Sequence, residues 1–274
     1  MAASHVGFAL AACAVIVCGC ALRPASTDRV PRRNVAARSV RGDPIEVFTC
    51  GQGSGGVLVV GGMHGDERGS AALVRELTTR VRCPPADRAL TILPALNPDG
   101  LDMAARANAR GVDLNRNLPT RNWIPRPVYG LQPMSEPESR ALYDVLRRVQ
   151  PAVTISVHEG NTPLVDYDGP AADAAHALGA CTGLEVRRLG ARPGSLGSLV
   201  GVDWGRPLVT LELPRRASSL PVEALWASYG HCLLNAVTRL PDAADTRLAR
   251  TSPSPQRRGC RPGRGGRRCG RARW

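Results

Sequence analysis

His64 and Glu67 stand three residues apart in Gly61-Gly62-Met63-His64-Gly65-Asp66-Glu67, directly after the apolar run Val57–Val60. An imidazole and a carboxylate at that spacing, on a tight turn entering a helix, can converge on one cation. Zinc accepts this mixture of nitrogen and oxygen, and a catalytic zinc keeps three protein ligands with a fourth position left for water. The pair alone is a common pattern. The glycines before and between the two residues strengthen it, because backbone crowded against a metal favours residues without a Cβ. A third ligand should come from the end of another strand, and His158 closes the apolar run 153–157. Of the other histidines, His5 lies in the apolar N-terminus, while His176 and His231 fall inside helical patterns where packing accounts for them.

These side chains need strands and helices to hold them. Residues 45–49, 57–61, 90–96, 152–157 and 208–213 read as strands, several of them unbroken Val/Leu/Ile runs suited to strands covered on both faces. Helical patterns lie between them at 68–81, 136–149, 170–182 and 221–238. Ser135 followed by Glu138 predicts a capping box for the second of these, with Pro137 tolerated in its first turn. The alternation predicts an α/β fold: one three-layer α/β/α domain over 44–240 with a central mixed, mainly parallel sheet. In such sheets ligands collect at the carboxyl ends of the strands, where His64, Glu67 and His158 all fall.

Composition narrows the remaining choices. Apolar residues make up 43% of the 274 and aromatics only 4%, so the core must be rich in Val, Leu and Ala. The formal charge of +13 suggests nucleic acid until it is located: residues 250–274 hold nine arginines and no acid, leaving +4 for the first 249. No nucleic-acid partner is therefore expected for the folded domain. The Arg/Gly/Pro-rich tail 241–274 cannot bury enough apolar surface to fold and is expected to be disordered. At the other end, residues 1–20 read as a signal peptide whose Val17-Cys18-Gly19-Cys20 resembles a bacterial lipoprotein box. That predicts a lipid anchor at Cys20, a linker over 21–43 and a periplasmic or membrane-anchored address. No Lys or Arg precedes the apolar run, and the competing reading is an uncleaved N-terminus on a cytoplasmic enzyme. Cys50, Cys83, Cys181 and Cys232 are scattered through the domain and read as small buried hydrophobes rather than ligands or bridges.

The segment Asn97-Pro98-Asp99-Gly100, followed by Arg106-Ala107-Asn108 and Gly111-Val112-Asp113-Leu114-Asn115-Arg116-Asn117, is the most specific feature of the chain. Together with the His64/Glu67 pair, His158, Pro193-Gly194-Ser195-Leu196-Gly197-Ser198 and Thr210-Leu211-Glu212-Leu213-Pro214, it resembles the zinc carboxypeptidase family, in particular its branch of short murein peptide amidases. The resemblance implies one zinc per chain, held by His64, Glu67 and His158. It implies Glu212 as the general base, Arg106 as the group that polarises the scissile carbonyl, Asn115 and Arg116 as the grip on a terminal carboxylate, and Asp113 as the acid that orients a ligand histidine. Taken alone, Arg106, Asp113 and Arg116 would read as an exposed ion-pair cluster.

Tyr167, the one tyrosine between His158 and Glu212, does not sit in the mobile-loop setting of the larger enzymes of that family and is assigned no role. The expected partner is a small peptide, by resemblance a muropeptide cleaved at its γ-D-glutamyl–diaminopimelate bond. Diaminopimelate carries a second amine and carboxylate, for which Asp166, Asp168 and Arg192 are candidates. Two alternatives compete: an N-acyl amino acid deacylase resembling the succinylglutamate desuccinylase and aspartoacylase branch, and a catalytically idle domain that binds wall peptides.

Overall fold

The apolar runs become strands wherever their two faces are both covered. In the computed structural model, which describes residues 30–51, 55–83 and 89–239, eight strands form one sheet. They are β1 (Arg32–Arg38), β2 (Pro44–Cys50), β3 (Val57–Val60), β4 (Leu90–Leu93), β5 (Val153–Gly160), β6 (Leu164–Asp168), β7 (Val186–Arg187) and β8 (Leu208–Pro214). Their order is β1-β2-β4-β3-β5-β8-β6-β7. The centre, β4-β3-β5-β8, is parallel throughout, and antiparallel pairs flank it at β2/β4 and β6/β8. This is the expected mixed sheet.

Alternation along the inner strands sorts side chains into two cores. Val57 and Val59 of β3, Ile155 and Val157 of β5, and Val209, Leu211 and Leu213 of β8 pack on one side with Leu73, Val74 and Leu77 of helix α1 (Arg68–Arg80). Ala175 and Leu178 of a later helix, Ala172–Thr182, join them there. Leu58, Val60 and Leu208 point the other way, onto Leu142, Val145 and Leu146 of Pro137–Val149 and onto Leu199 and Val200. Each fully buried Leu or Val contributes about 1.5–3 kcal/mol by leaving water. The sheet thus holds its inner strands in fixed register, and with them the residues at their carboxyl ends.

The expected helices form as α1, α3 (Pro137–Val149), α4 (Ala172–Thr182) and, for 221–238, α5 (Val222–Leu225) and α6 (His231–Arg239) joined through a π-helical turn at Trp226–Gly230; α2 (Pro98–Met103) is an additional helix that the sequence reading did not place. Other features differ from the sequence reading too, the short edge strand β7 among them. Part of the expected linker, Arg32–Arg38, is strand β1, paired antiparallel with β2 at the sheet edge. β6 was not expected, because two of its five residues are acids. The capping box does not form: Glu136 is the N-cap of α3, and the Glu138 carboxylate instead accepts from the Val40 N–H and the Asn108 amide. The four domain cysteines are paired, Cys50 with Cys83 and Cys181 with Cys232. Residues 1–20 with the expected anchor at Cys20, and the tail 241–274, lie outside the described residues. Among the described residues no helix is long and apolar enough to cross a membrane.

Candidate active site

Glu67 is the N-cap of α1, and His64 sits on the turn that leads from β3 into it. The turn is held from both sides. Gly61 donates to Leu93 O, while Leu96 and Asn97 donate to Gly61 O and Gly62 O, extending the β3/β4 pairing past the strands. Gly62 takes φ +57°, a conformation glycine adopts without strain. Gly65 packs on Gly100, where a Cβ would fall 1.9 Å from the Gly100 carbonyl carbon. That contact explains the Asn97-Pro98-Asp99-Gly100 motif. Asn97 caps α2 by accepting from Gly100 N, Pro98 opens the helix, and Asp99 accepts from Ser39 Oγ and Arg41 N.

His158 arrives from the end of β5, and the three side chains meet. Glu67 Oε1 lies 2.7 Å from His64 Nδ1 and Glu67 Oε2 lies 2.9 Å from His158 Nδ1. Their ligand atoms fall within 4.8 Å of one another, the only such group of three among the described residues. All three residues are buried, at 2%, 2% and 4% exposure for His64, Glu67 and His158. Two imidazole nitrogens and a carboxylate converging in one place make a donor set that zinc prefers, with three ligands as a catalytic site requires. The residues therefore fit the metal.

Burial alone would raise the Glu67 carboxyl, but the charge of His158 and hydrogen bonds from both histidines hold it well below the usual range. Burial likewise pushes His64 down. Its bonds to Asp113 and Glu67 outweigh that and raise it above its ordinary value. A cation held by these three residues would take the place of that proton.

Asp113 lies beside His64. It caps the 3₁₀ turn Leu114–Arg116 by accepting from Asn115 N, and the same Oδ1 lies 3.1 Å from His64 Nε2, so the other ring nitrogen faces the ligand centre. Despite burial its carboxyl stays depressed, through the His64 hydrogen bond and the charges of His64, Arg106 and Arg116. Arg106 lies over the triad, donating from Nε to Asp113 Oδ2 at 3.0 Å with NH1 3.5 Å from Glu67 Oε1. Asn115, half-buried, accepts from Leu196 N through its side-chain oxygen. Arg116 folds back onto the Asn115 carbonyl and remains half-buried.

Glu212 is the register partner of His158 across the parallel pair β5/β8 and points to the same side of the sheet. Burial raises its carboxyl; His158 counters, and Glu67 and Asp166 add to the rise. Tyr167 packs on the other side, against the α1–α4 core, away from the triad.

Other residues were missed as parts of the frame. Glu159, next to His158, is buried and accepts from Ser70 N and from the Ser218 N–H and hydroxyl, locking the start of α1 to β5. Asn108 binds Glu136 and Glu138 through its NH2 and accepts from Arg110 N and Val112 N. Asn117 binds Tyr129 O, Gln132 O and Ser135 Oγ. The dense Asn content of 108–117 was the available signal: short amides satisfy loop backbone that no helix or strand pairs.

The fold and the buried His-Glu-His centre define a metallopeptidase of the carboxypeptidase type. The family description "Zinc carboxypeptidase" matches residues 26–174, just over half of the chain, and the chain belongs to that family. It is 37% identical over 129 residues to murein peptide amidase A of Escherichia coli (strain K12), covering 41% of this chain and 51% of that protein. The murein peptide amidase A of Vibrio campbellii (strain ATCC BAA-1116) is 32% identical over 207 residues, 68% of this chain and 81% of that one. The chain thus spans about half the length of the Escherichia coli relative in that match. The crystal structure of murein-tripeptide amidase MpaA from Escherichia coli O157 aligns with a TM-score of 0.66 at 26% identity, over 80% of this chain and 98% of that one.

Proposed function

We propose that this zinc carboxypeptidase releases diaminopimelate from small murein peptides by cleaving the γ-D-glutamyl–diaminopimelate bond. The observation that carries the hydrolytic part is the pairing of Glu212 with His158, which sets a carboxylate beside the metal ligands with no protein hydrogen bond of its own among the described residues. The choice of murein peptides rests on the likeness to two proteins described as murein peptide amidase A.

His64, Glu67 and His158 would hold the ion. Zinc held there supplies Lewis-acid chemistry, polarising a carbonyl and lowering the pKa of water towards about 7. Glu212 accepts the proton of the attacking water and delivers it to the leaving nitrogen as the C–N bond breaks, so one carboxylate serves as base and then acid. Arg106, tethered by Asp113, aims its guanidinium at the oxygen that gains charge, a contribution of roughly 3–4 kcal/mol in comparable sites. The Asn115 amide and the Arg116 guanidinium take the substrate's terminal carboxylate, which Arg binds with two oxygens at once. Asp113 fixes the His64 tautomer.

The two disulfides support an address outside the cytoplasm, since such bonds form and persist in oxidising compartments. Wall peptides are met there. Incubating the zinc-loaded protein with L-Ala-γ-D-Glu-meso-diaminopimelate tests the reading. Release of diaminopimelate is expected, and its absence would sink the substrate assignment.

A further inference from the structure

The strands that carry the catalytic residues also define an opposite end. β1 is antiparallel to β2 and β2 to β4, so β1 runs in the direction of β4, β3, β5 and β8. Arg32, Val57, Leu90, Val153 and Leu208 therefore start their strands at one base, while His158 and Glu212 lie towards the other end. Along β8, Leu208 and Glu212 are roughly 13 Å apart. Helices α1 and α3 return to the same base, where Arg82 follows α1 and Arg147 and Arg148 belong to the last turn of α3. The base is thus rich in arginine, and the chain enters the domain there at β1.

One cavity opens at this base. It holds about 250 Å³ between Leu146, Arg147, Gln150, Trp204 and Arg206, and none of these lining side chains is acidic. Small-molecule pockets begin at about 300 Å³, so this one suits a single small headgroup. Gln150 ends α3 at φ +47°, and its side-chain oxygen accepts from Arg206 NH2 at 3.0 Å, which holds that guanidinium at the cavity wall. Gly205, at φ +60°, turns the chain between Trp204 and Arg206. Trp204 packs on Tyr143 with ring centroids 6.0 Å apart. Among the described residues its indole N–H has no protein partner, whereas Trp123 donates its own to Arg116 O. Nearby acids do not close the site. Asp203 accepts from Arg121 N, Asp144 stands one turn back on α3, and Asp173 opens α4 across the sheet, in the layer with α1. The end of α3 adds about half a negative charge, which the guanidinia of Arg147, Arg148 and Arg206 outweigh. Two residues before Trp204, Val202 is 61% exposed.

Guanidinia suited to a phosphate, a tryptophan whose N–H is left to solvent and an exposed aliphatic side chain together match the surface of a bilayer. Tryptophan settles there at headgroup level, and cationic side chains meet lipid phosphate. A soluble anion gives no reason for the exposed valine. We propose that the base of the sheet docks on an anionic bilayer, with a lipid phosphate seated between Arg147 and Arg206 against Trp204, and Val202 reaching in among the headgroups. Among the described residues no helix is long and apolar enough to cross a membrane, so the contact is peripheral. In this orientation the metal ligands, and the groove at the carboxyl ends of the strands, face away from the membrane. Docking at the base is independent of which peptide is cleaved at the other end.

Flotation of the full chain with phosphatidylcholine vesicles, with and without phosphatidylglycerol, tests the docking. The nine arginines of 250–274 attract every variant alike, so variants of equal charge are compared. Arg147→Gln/Arg206→Gln should lower partitioning onto phosphatidylglycerol vesicles by about 25-fold, at about fivefold per guanidinium. Arg126→Gln/Arg216→Gln, in the turns beyond the catalytic end, should lower it by about twofold or less. Trp204 gives a second reading on the wild type: lipids brominated near the top of the acyl chain should quench its emission, and Trp204→Phe should lose that part of the quenching. Equal losses in the two arginine pairs, or quenching unchanged in Trp204→Phe, overturn the docking. Binding of sn-glycerol 3-phosphate without any preference for phosphatidylglycerol vesicles also overturns it, and would make the cavity a site for a soluble phosphate.

Discussion

His158 and Glu212 are register partners in the parallel pair β5/β8, one a metal ligand and the other a carboxylate beside the same centre. Because both hang from inner strands of one sheet, their separation is set by backbone hydrogen bonding rather than by loop conformation. A carboxylate held this way costs little to position.

The separation of roles between the two residues can be measured. Glu212→Gln removes the carboxylate proposed as base and leaves the donor set whole, so zinc content should stay near one per chain while kcat falls by about 10³-fold. His158→Ala deletes a ligand, and both zinc and turnover should be lost. Metal analysis alongside kinetics decides it. Loss of zinc in Glu212→Gln would place that residue among the ligands instead.

Zinc and protons compete for His64, whose pKa is raised because the Asp113 and Glu67 bonds outweigh the lowering effect of burial. The metal requires the neutral imidazole. Apparent zinc affinity should therefore fall as pH drops through and below that raised value, and binding at neutral pH should release protons. Calorimetry in buffers of different ionisation enthalpy counts them. Asp113→Asn should weaken zinc affinity by about 10–100-fold, since an amide orients the His64 ring less firmly than a carboxylate.

What the sequence shows of this molecule follows from how each residue is satisfied. β3 is legible because all four of its side chains are apolar, and β5 and β8 because β-branched and apolar residues fill at least one face; the metal ligands are legible because they follow such runs. β6 is not. Its Asp166 and Asp168 stand on a face where apolar residues would normally signal a strand, so no alternation of apolar and polar residues marks it. β1 lies at an exposed edge, where arginine is tolerated and no apolar pattern is required. The false capping box at Ser135 fails because Glu138 finds better partners in Val40 and Asn108, residues distant in sequence. Cysteine pairing is invisible for the same reason: Cys50–Cys83 and Cys181–Cys232 are tertiary facts, 33 and 51 residues apart.

Asp168 also carries a prediction about stability. Burial, with Asp166 adding and Arg188 opposing, pushes its carboxyl up to about 6. A carboxyl raised on folding favours the native state below its unfolded pKa, and that advantage is lost as pH rises through the folded one. Asp168→Asn removes this dependence. Relative to wild type, the variant should be about equally stable near pH 4 and more stable by roughly 2–3 kcal/mol near pH 7. Denaturant unfolding across that range measures the difference. A gap that is flat with pH, or of opposite sign, would mean the carboxylate is satisfied in the folded protein after all.

The disulfides should matter for endurance rather than for chemistry. Cys50 ends β2 and binds Cys83 just beyond α1, while Cys181 of α4 binds Cys232 of α6. Cys50 and Cys232 both pack in the core on the side of the sheet away from His158 and Glu212. Each bond restricts the unfolded chain and contributes about 2–4 kcal/mol. At roughly 2–4 °C per kcal/mol for a domain of this size, reducing both should lower Tm by about 10–20 °C. Below the new transition the strands, and hence the zinc ligands, keep their register, so kcat at 25 °C should change by less than about twofold. Thermal scans and assays with and without a phosphine reductant give both numbers. A large fall in kcat with Tm unchanged would mean that the bridges act on the groove itself, through α1 and β5, and not on the stability of the layer behind it.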